Sequence, residues 1–203
     1  MVVQGNPKQS EGRTYANCVT VCRAILRKGA KLTTTGKEKN HGKLTMAIYH
    51  FSVKTISRSQ GRSATASIAY RAGEKIVDEQ TDEVHDYTRK QGVKATQIVL
   101  PPNAPEWAKD REKLWNAAEQ AETRKNNTVA REIIVALPAE LDDAARYRMV
   151  KKFSERLVDK HQCAVDFAIH EPSRDGDNRN HHAHLLLTTR QLSENGFEKK
   201  TRE

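Results

Sequence analysis

The sequence predicts an α+β domain: a mostly antiparallel central sheet with helices packed mainly on one face. Three observations predict it. Strand-like and helix-like stretches mix without a strict βαβ rhythm. Two apolar stretches, residues 164–170 and 182–189, flank a short segment of loop chemistry and so read as a hairpin. Two longer stretches, 105–125 and 141–158, repeat apolar residues at helical spacing.

In chain order, residues 1–45 differ in texture from the rest. They hold nine Lys/Arg against two Asp/Glu, a net of +7. The whole chain carries +9, so the remainder carries only +2 and the high overall charge says little about the domain. Residues 19–26 read as a short helix and 31–44 as a low-hydrophobicity, disordered run. The expected organisation is a basic N-terminal extension over 1–45, disordered or the product of a mis-assigned start. A functional domain over 46–203 follows, itself the N-terminal part of a longer protein. A basic arm gripping DNA backbone is the other reading of the extension.

Residues 47–53 read as a strand, with Tyr49, Phe51 and Val53 toward the core. Residues 55–62 read as a polar loop. Ser63 is placed to cap an alanine-rich helix running to Ala72. Between Met46 and Gly73 lie four bases, Lys54, Arg58, Arg62 and Arg71, and no acid. That asymmetry suits a surface meeting phosphates, its plainer reading being a solvated loop. Residues 96–100 read as a strand stopped by Pro101-Pro102, and 129–137 as another ended by Pro138. Trp107 and Trp115 fall on the apolar face of the 105–125 helix and read as core. The chain ends at Glu203 in charged sequence with no helix or strand signal.

No apolar run approaches the ~18 residues of a membrane span. The three cysteines, Cys18, Cys22 and Cys163, suggest neither a disulfide framework nor a zinc knuckle, and the expected compartment is the cytoplasm.

Chemistry concentrates in Asn180-His181-His182-Ala183-His184. On a strand, alternate side chains share a face, so His182 and His184 point one way and Ala183 the other. If 164–170 pairs with this strand, His170 returns beside His182. Three neutral imidazoles with open positions make a catalytic metal site rather than a closed structural one. Two histidines so spaced also simply line polar sheet faces. Asp166, four residues before His170, lies on the same face and could orient a ligand or form a structural salt bridge. Of the tyrosines, only Tyr70 combines a helix, small neighbours and an acid-free basic setting. Tyr49 reads as buried, and Tyr87 and Tyr147 as surface residues.

Several stretches resemble the MobA/MobL-type plasmid mobilisation relaxases, over about residues 46–202. They are Met46-Ala47-Ile48-Tyr49-His50-Phe51-Ser52, Ser63 to Arg71, Asp110 to Asn116, Arg131-Glu132-Ile133-Ile134-Val135-Ala136-Leu137-Pro138 and the histidine segment. The last has the pattern of the HUH endonucleases, two histidines flanking a hydrophobic residue. His181 stands where that pattern more often has proline.

The resemblance implies an HUH/relaxase-like fold and a site- and strand-specific DNA nickase acting at a plasmid transfer origin. It implies Tyr70 as the nucleophile, forming a 5′-phosphotyrosine. His170, His182 and His184 would hold a divalent ion (Mg2+ or Mn2+ first, other transition metals next). Glu132 would act as base or as partner to a histidine. The implied partners are single-stranded origin DNA, through Lys54, Arg58, Arg62 and Arg71, and other conjugation proteins, in a bacterial cytoplasm. Two alternatives stand beside it. A rolling-circle replication initiator of the same superfamily usually places its tyrosine after the histidine pair. A non-catalytic nucleic-acid-binding module usually exposes aromatics on its strands.

Overall fold

The structure is a computed structural model and describes residues 50–173 and 176–201. The expectations for residues 1–45, for Cys18 and Cys22, and for Tyr49 lie outside the described residues. In chain order the elements are β1 (Phe51–Ser57), α1 (Ala64–Ala72), β2 (Lys75–Asp78), β3 (Glu83–Asp86) and β4 (Val93–Val99). There follow α2 (Arg111–Gln120), β5 (Thr128–Ala136), α3 (Asp143–His161), β6 (Val165–His170), β7 (His182–Thr188), β8 (Arg190–Ser193) and β9 (Gly196–Lys200).

Five strands form one sheet in the order β1-β5-β7-β6-β4, and every pairing is antiparallel. The α+β architecture follows, with two of the three α-helices among the described residues on one face. That face carries Ile56, Leu186 and Asp166. Ile56 and Leu186 share a buried core with Ile68 and Ala69 of α1 and Leu114 and Trp115 of α2. The third helix, α3, covers the opposite face, where the Tyr147 ring meets Phe167 edge-on at 5.8 Å. The two long helical segments read from the sequence therefore lie on opposite faces. Tyr147 is no surface residue: it is half-buried, and its hydroxyl donates to Gln97 Oε1 at 2.7 Å.

Local chemistry accounts for the element ends. Ser63 caps α1, its hydroxyl accepting from the Ala66 amide at 3.1 Å. Gly73 ends the helix in the left-handed region at φ 69°, which glycine adopts without a Cβ clash. Asp110 and Asp142 cap α2 and α3 in the same way. The Asp110 cap also splits the long helix expected over 105–125. A 3-10 turn, Glu106–Lys109, precedes it, and α2 starts afresh after the extended Asp110.

Three further differences from the sequence expectations are informative. Strand β1 runs on through Thr55 and Ile56, opposite Arg131 and Ala130 of β5, where a polar loop was expected. Two β-branched residues facing a paired strand outweigh the polar neighbours. Residues 75–86 form a hairpin, β2–β3. Residues 190–200 form another, β8–β9, although the segment is highly charged. Its charges are neutralised in place: Arg190 and Lys200 both reach the buried Glu122 carboxylate.

Asp166 is fully buried in the middle of this fold. Both its oxygens are taken by Arg111, at 2.8 and 3.0 Å, and Trp115 Nε1 donates to it at 3.0 Å. It ties α2 to β6. Breaking a buried ion pair from one side leaves the partner charge uncompensated, at about 3–5 kcal/mol. Asp166→Ala is therefore expected to lose about that much stability in urea unfolding. A loss under ~1 kcal/mol would show that Arg111 and Trp115 find other partners.

Candidate metal centre and active site

The antiparallel register builds the site. His170 pairs directly opposite His182, and Ala168 opposite His184, across β6 and β7. His184 in turn faces Ile134 of β5, two residues from Glu132. Side chains alternate across a strand, so His170, His182, His184 and Glu132 all project from one face. Ala183, between the two histidines, is fully buried on the other. The three imidazole centroids lie 5.0, 5.2 and 5.3 Å apart.

Each ring has one nitrogen committed to an acceptor. His170 Nε2 meets the Arg71 carbonyl at 2.8 Å. His182 Nδ1 meets the Asn180 carbonyl at 3.0 Å. His184 Nδ1 meets Glu132 Oε1 at 2.7 Å. Carbonyl and carboxylate oxygens only accept, so these three nitrogens carry the protons. The opposite nitrogens, His170 Nδ1, His182 Nε2 and His184 Nε2, keep free lone pairs. Such fixing of the outer nitrogen is how proteins orient metal-binding histidines. One nitrogen from each ring lies within 4.8 Å of the others. Two N–metal bonds of ~2.1 Å span at most ~4.2 Å, so small ring rotations complete a site. The residues present fit a divalent ion.

The electrostatics favour neutral imidazoles at His170 and His182. Burial, helped by the nearby Lys90 charge and the other two histidines, holds His170 down at about 4. His182 is lowered too, first by burial and then by its charged neighbours. Burial alone would raise the Glu132 carboxyl, but hydrogen bonds from His184 and Arg71 outweigh it and hold the group at about 2. Glu132 is thus an anion under ordinary conditions.

Helix α1 lies over the site. Its Arg71 supplies the carbonyl to His170 and bonds Glu132 with its side chain, at 2.8 and 3.2 Å. Tyr70, beside it, is 47% exposed. A groove of about 930 Å3 is lined by Tyr70, Arg71, Glu132 and His184, with Lys54 and Arg62 on the same walls. The β2–β3 hairpin supplies Gln80, Glu83 and His85 to it.

Not every residue singled out from the sequence is free to serve here. Asp166 does not reach the histidines, because Arg111 and Trp115 take both its oxygens. Arg58 is also engaged internally. It pairs with the buried Glu119 at 2.6 Å and donates to the carbonyls of Glu119 and Glu122, while also lining the groove. Arg71 pairs with Glu132, and Lys54 and Arg62 are the most exposed of the four cations. His181 lies just before β7, outside the triad. Sequence reasoning missed Lys90, whose ammonium sits 3.6 Å from the Tyr70 ring centroid. Tyr87, expected at the surface, is half-buried and packs edge-on to the same ring at 5.2 Å. Only the turn-forming Thr-Arg-Lys-Gln-Gly composition marks the Lys90 segment, and it does not point to α1.

A family model described as the MobA/MobL family matches residues 62–203. Mobilization protein MobL of Acidithiobacillus ferridurans is 38% identical over 172 residues, covering 74% of this chain and 45% of that protein. Conjugal transfer protein TraA of Rhizobium radiobacter is 37% identical over 165 residues, covering 76% of this chain and 14% of that protein. The chain thus spans less than half the length of either relative. Among solved structures, a chain described under the molecular basis of vancomycin resistance transfer in Staphylococcus aureus aligns with a TM-score of 0.69 at 41% identity. The alignment covers 77% of this chain and 78% of that one.

Two outcomes are expected of the metal-free and metal-loaded protein. Glu132→Gln should weaken Mn2+ binding about 10- to 100-fold in calorimetric titration, as loss of an orienting carboxylate does elsewhere. His184→Ala should weaken it further, and unchanged affinity in both would remove the triad as the site. The second concerns acid. The unfolded chain binds the His170 proton near the ordinary value of 6.5, the folded chain only near 4. Between these values the unfolded state holds more protons, so stability falls as pH drops through that window. Urea midpoints measured across it should fall more steeply with acid in the parent than in His170→Gln.

Proposed function

This chain belongs to the MobA/MobL family, and from that we propose that it is a metal-dependent relaxase that nicks one DNA strand at a plasmid transfer origin. What supports the reading is one observation: an exposed tyrosine and His184, a member of the triad with free lone pairs, open onto the same groove. No described helix is long and apolar enough to cross a membrane.

The proposed step is a transesterification. Tyr70 Oη attacks the scissile phosphorus, an Oη–P bond forms, and the P–O3′ bond breaks. The 3′ oxygen leaves with the electron pair and takes up a proton; the phenol proton passes to solvent. The product is a 5′-phosphotyrosine and a free 3′-hydroxyl, and because the ester energy is conserved the reverse attack can reseal the strand. A divalent ion at His170, His182 and His184 would supply positive charge at the phosphate oxygens. The protein's own groups prepare this. Arg71 and Asn180 carbonyls and the Glu132 carboxylate hold the three ring protons away from the ligand side. A carboxyl held at about 2 is too weak a base to activate Tyr70, so the reading assigns Glu132 the task of orienting His184. Lys54 and Arg62 line the groove as phosphate contacts. An all-imidazole donor set without a carboxylate ligand favours Mn2+ and later transition ions over Mg2+, which prefers oxygen.

The same reading makes single-stranded origin DNA the substrate and conjugation proteins the partners. It places the activity in residues 46–203, so a chain beginning at Met46 should fold and cleave. An unfolded product would assign residues 1–45 a structural role.

Tyr70→Phe keeps the ring and loses only the hydroxyl, so packing should survive. It should still bind its single-stranded site in a salt-dependent manner but form no covalent adduct. In the parent, given metal and substrate, mass spectrometry should find the DNA fragment with the new 5′ end attached to a peptide containing Tyr70. An adduct on Tyr87 or Tyr147, or an undiminished adduct in Tyr70→Phe, would overturn the assignment. Chelation should stop cleavage in the parent.

A further inference from the structure

We propose that Lys90 is a positioning residue for the nucleophile: its ammonium clamps the face of the Tyr70 ring and fixes the direction of the hydroxyl. The inference rests on the reading of Tyr70 as nucleophile. The geometry is specific. Lys90 Nζ lies 3.6 Å from the Tyr70 ring centroid and donates to the Tyr70 carbonyl at 2.7 Å. Tyr87 meets the same ring edge-on, with an interplanar angle of 88°. One face and one edge of a half-exposed ring are therefore held by a single turn, Tyr87 to Lys90, which is itself closed by a Lys90 N–H bond to the Tyr87 carbonyl at 2.9 Å.

The backbone is arranged to bring that turn in. The Gly73 and Glu74 amides both bond the Ala69 carbonyl, which leaves the next carbonyl, that of Tyr70, for a side-chain donor. Lys90 supplies it. Gly73 is in the left-handed region, and a Cβ there would meet Val93 at 3.3 Å and Lys90 Cβ at 3.9 Å. The helix end and the incoming turn are thus fitted to each other. An exposed phenol on a helix surface otherwise rotates through several rotamers, and attack on phosphorus needs one of them. A cation over an aromatic face is attracted by the ring quadrupole, and more strongly where water is partly excluded.

The clamp depends on charge. Burial, aided by the adjacent Arg71 guanidinium, lowers the Lys90 ammonium to about 8. The charged or titratable groups facing it are Tyr70 and Arg71 from α1, Tyr87 from its own turn, and His170 and His182 from the sheet. Arginine at the same position keeps its charge throughout and also stacks on aromatic faces.

The experiment measures single-turnover adduct formation by the full chain on single-stranded origin DNA, with Mn2+, at pH 7. Lys90→Met should slow the maximal rate about tenfold while changing the DNA concentration for half-maximal rate little. Lys90→Arg should recover most of the rate. A Lys90→Met variant with normal maximal rate and weakened DNA binding would make Lys90 a phosphate contact and overturn the inference. So would equal defects in Met and Arg variants, which a purely structural cap would produce. If the parent carries its adduct on a residue other than Tyr70, the reading of the nucleophile fails and the inference with it. An adduct on Tyr70 with an unaffected Lys90→Met variant overturns the inference alone.

Discussion

The Glu132 carboxylate is the interaction on which the site depends. Its Oε1 receives both the His184 Nδ1 proton and the Arg71 Nε proton, at 2.7 and 2.8 Å. Through that one oxygen a strand-borne histidine and a helix are fixed relative to each other. The carboxylate is nearly buried, and its charge survives only because both partners donate to it. The same helix residue, Arg71, also presents its main-chain carbonyl to His170. One residue of α1 therefore sets the orientation of two of the three imidazoles. The helix that carries Tyr70 cannot shift without disturbing the histidine face, which is a physical reason for the two halves of the site to stay in register.

The sheet makes this arrangement inexpensive to hold. Strands β6 and β7 are buried along nearly their whole length, so a one-residue slip would turn His182 and His184 into the core and Ala183 and Leu185 out of it. Farther along β6 on the same face, Asp166, Arg111 and Trp115 lock α2 down, and Glu119 does the same for the start of α1 through Arg58 and the Ala64 amide. These buried pairs stiffen the two helices above the sheet.

Much of this was legible in the sequence, for a simple reason: strand periodicity is short. The His182-Ala183-His184 alternation and the apolar run after it give the face of β7, and the Pro, Gly and Asx residues between 171 and 181 give the hairpin that returns His170. What was not legible depends on distance through space. Asp166 shares a face with His170, but four residues along a strand is roughly 13 Å, too far for contact. Arg58 and Arg62 look alike in a charge count. Only the fold brings Glu119, 61 residues on, to Arg58 and not to Arg62. Glu132 was visible through family resemblance alone, since both its partners are remote. Lys90 lies in a polar turn whose approach to α1 depends on Gly73. The β8–β9 hairpin could have been found: Asn195-Gly196 is a strong turn signal between β-capable residues, outweighed by the surrounding charge.

The central claim is that three histidines, each with one N–H directed to an outer acceptor, present their other nitrogens to one ion. Long-range 15N–1H NMR of the histidine side chains, with and without a diamagnetic divalent ion such as Zn2+, tests it most directly. The account predicts His182 and His184 protonated at Nδ1 and His170 at Nε2. Metal-dependent shifts should be confined to His170 Nδ1, His182 Nε2 and His184 Nε2. The opposite tautomer at His184, or a metal shift that misses His170, would contradict it.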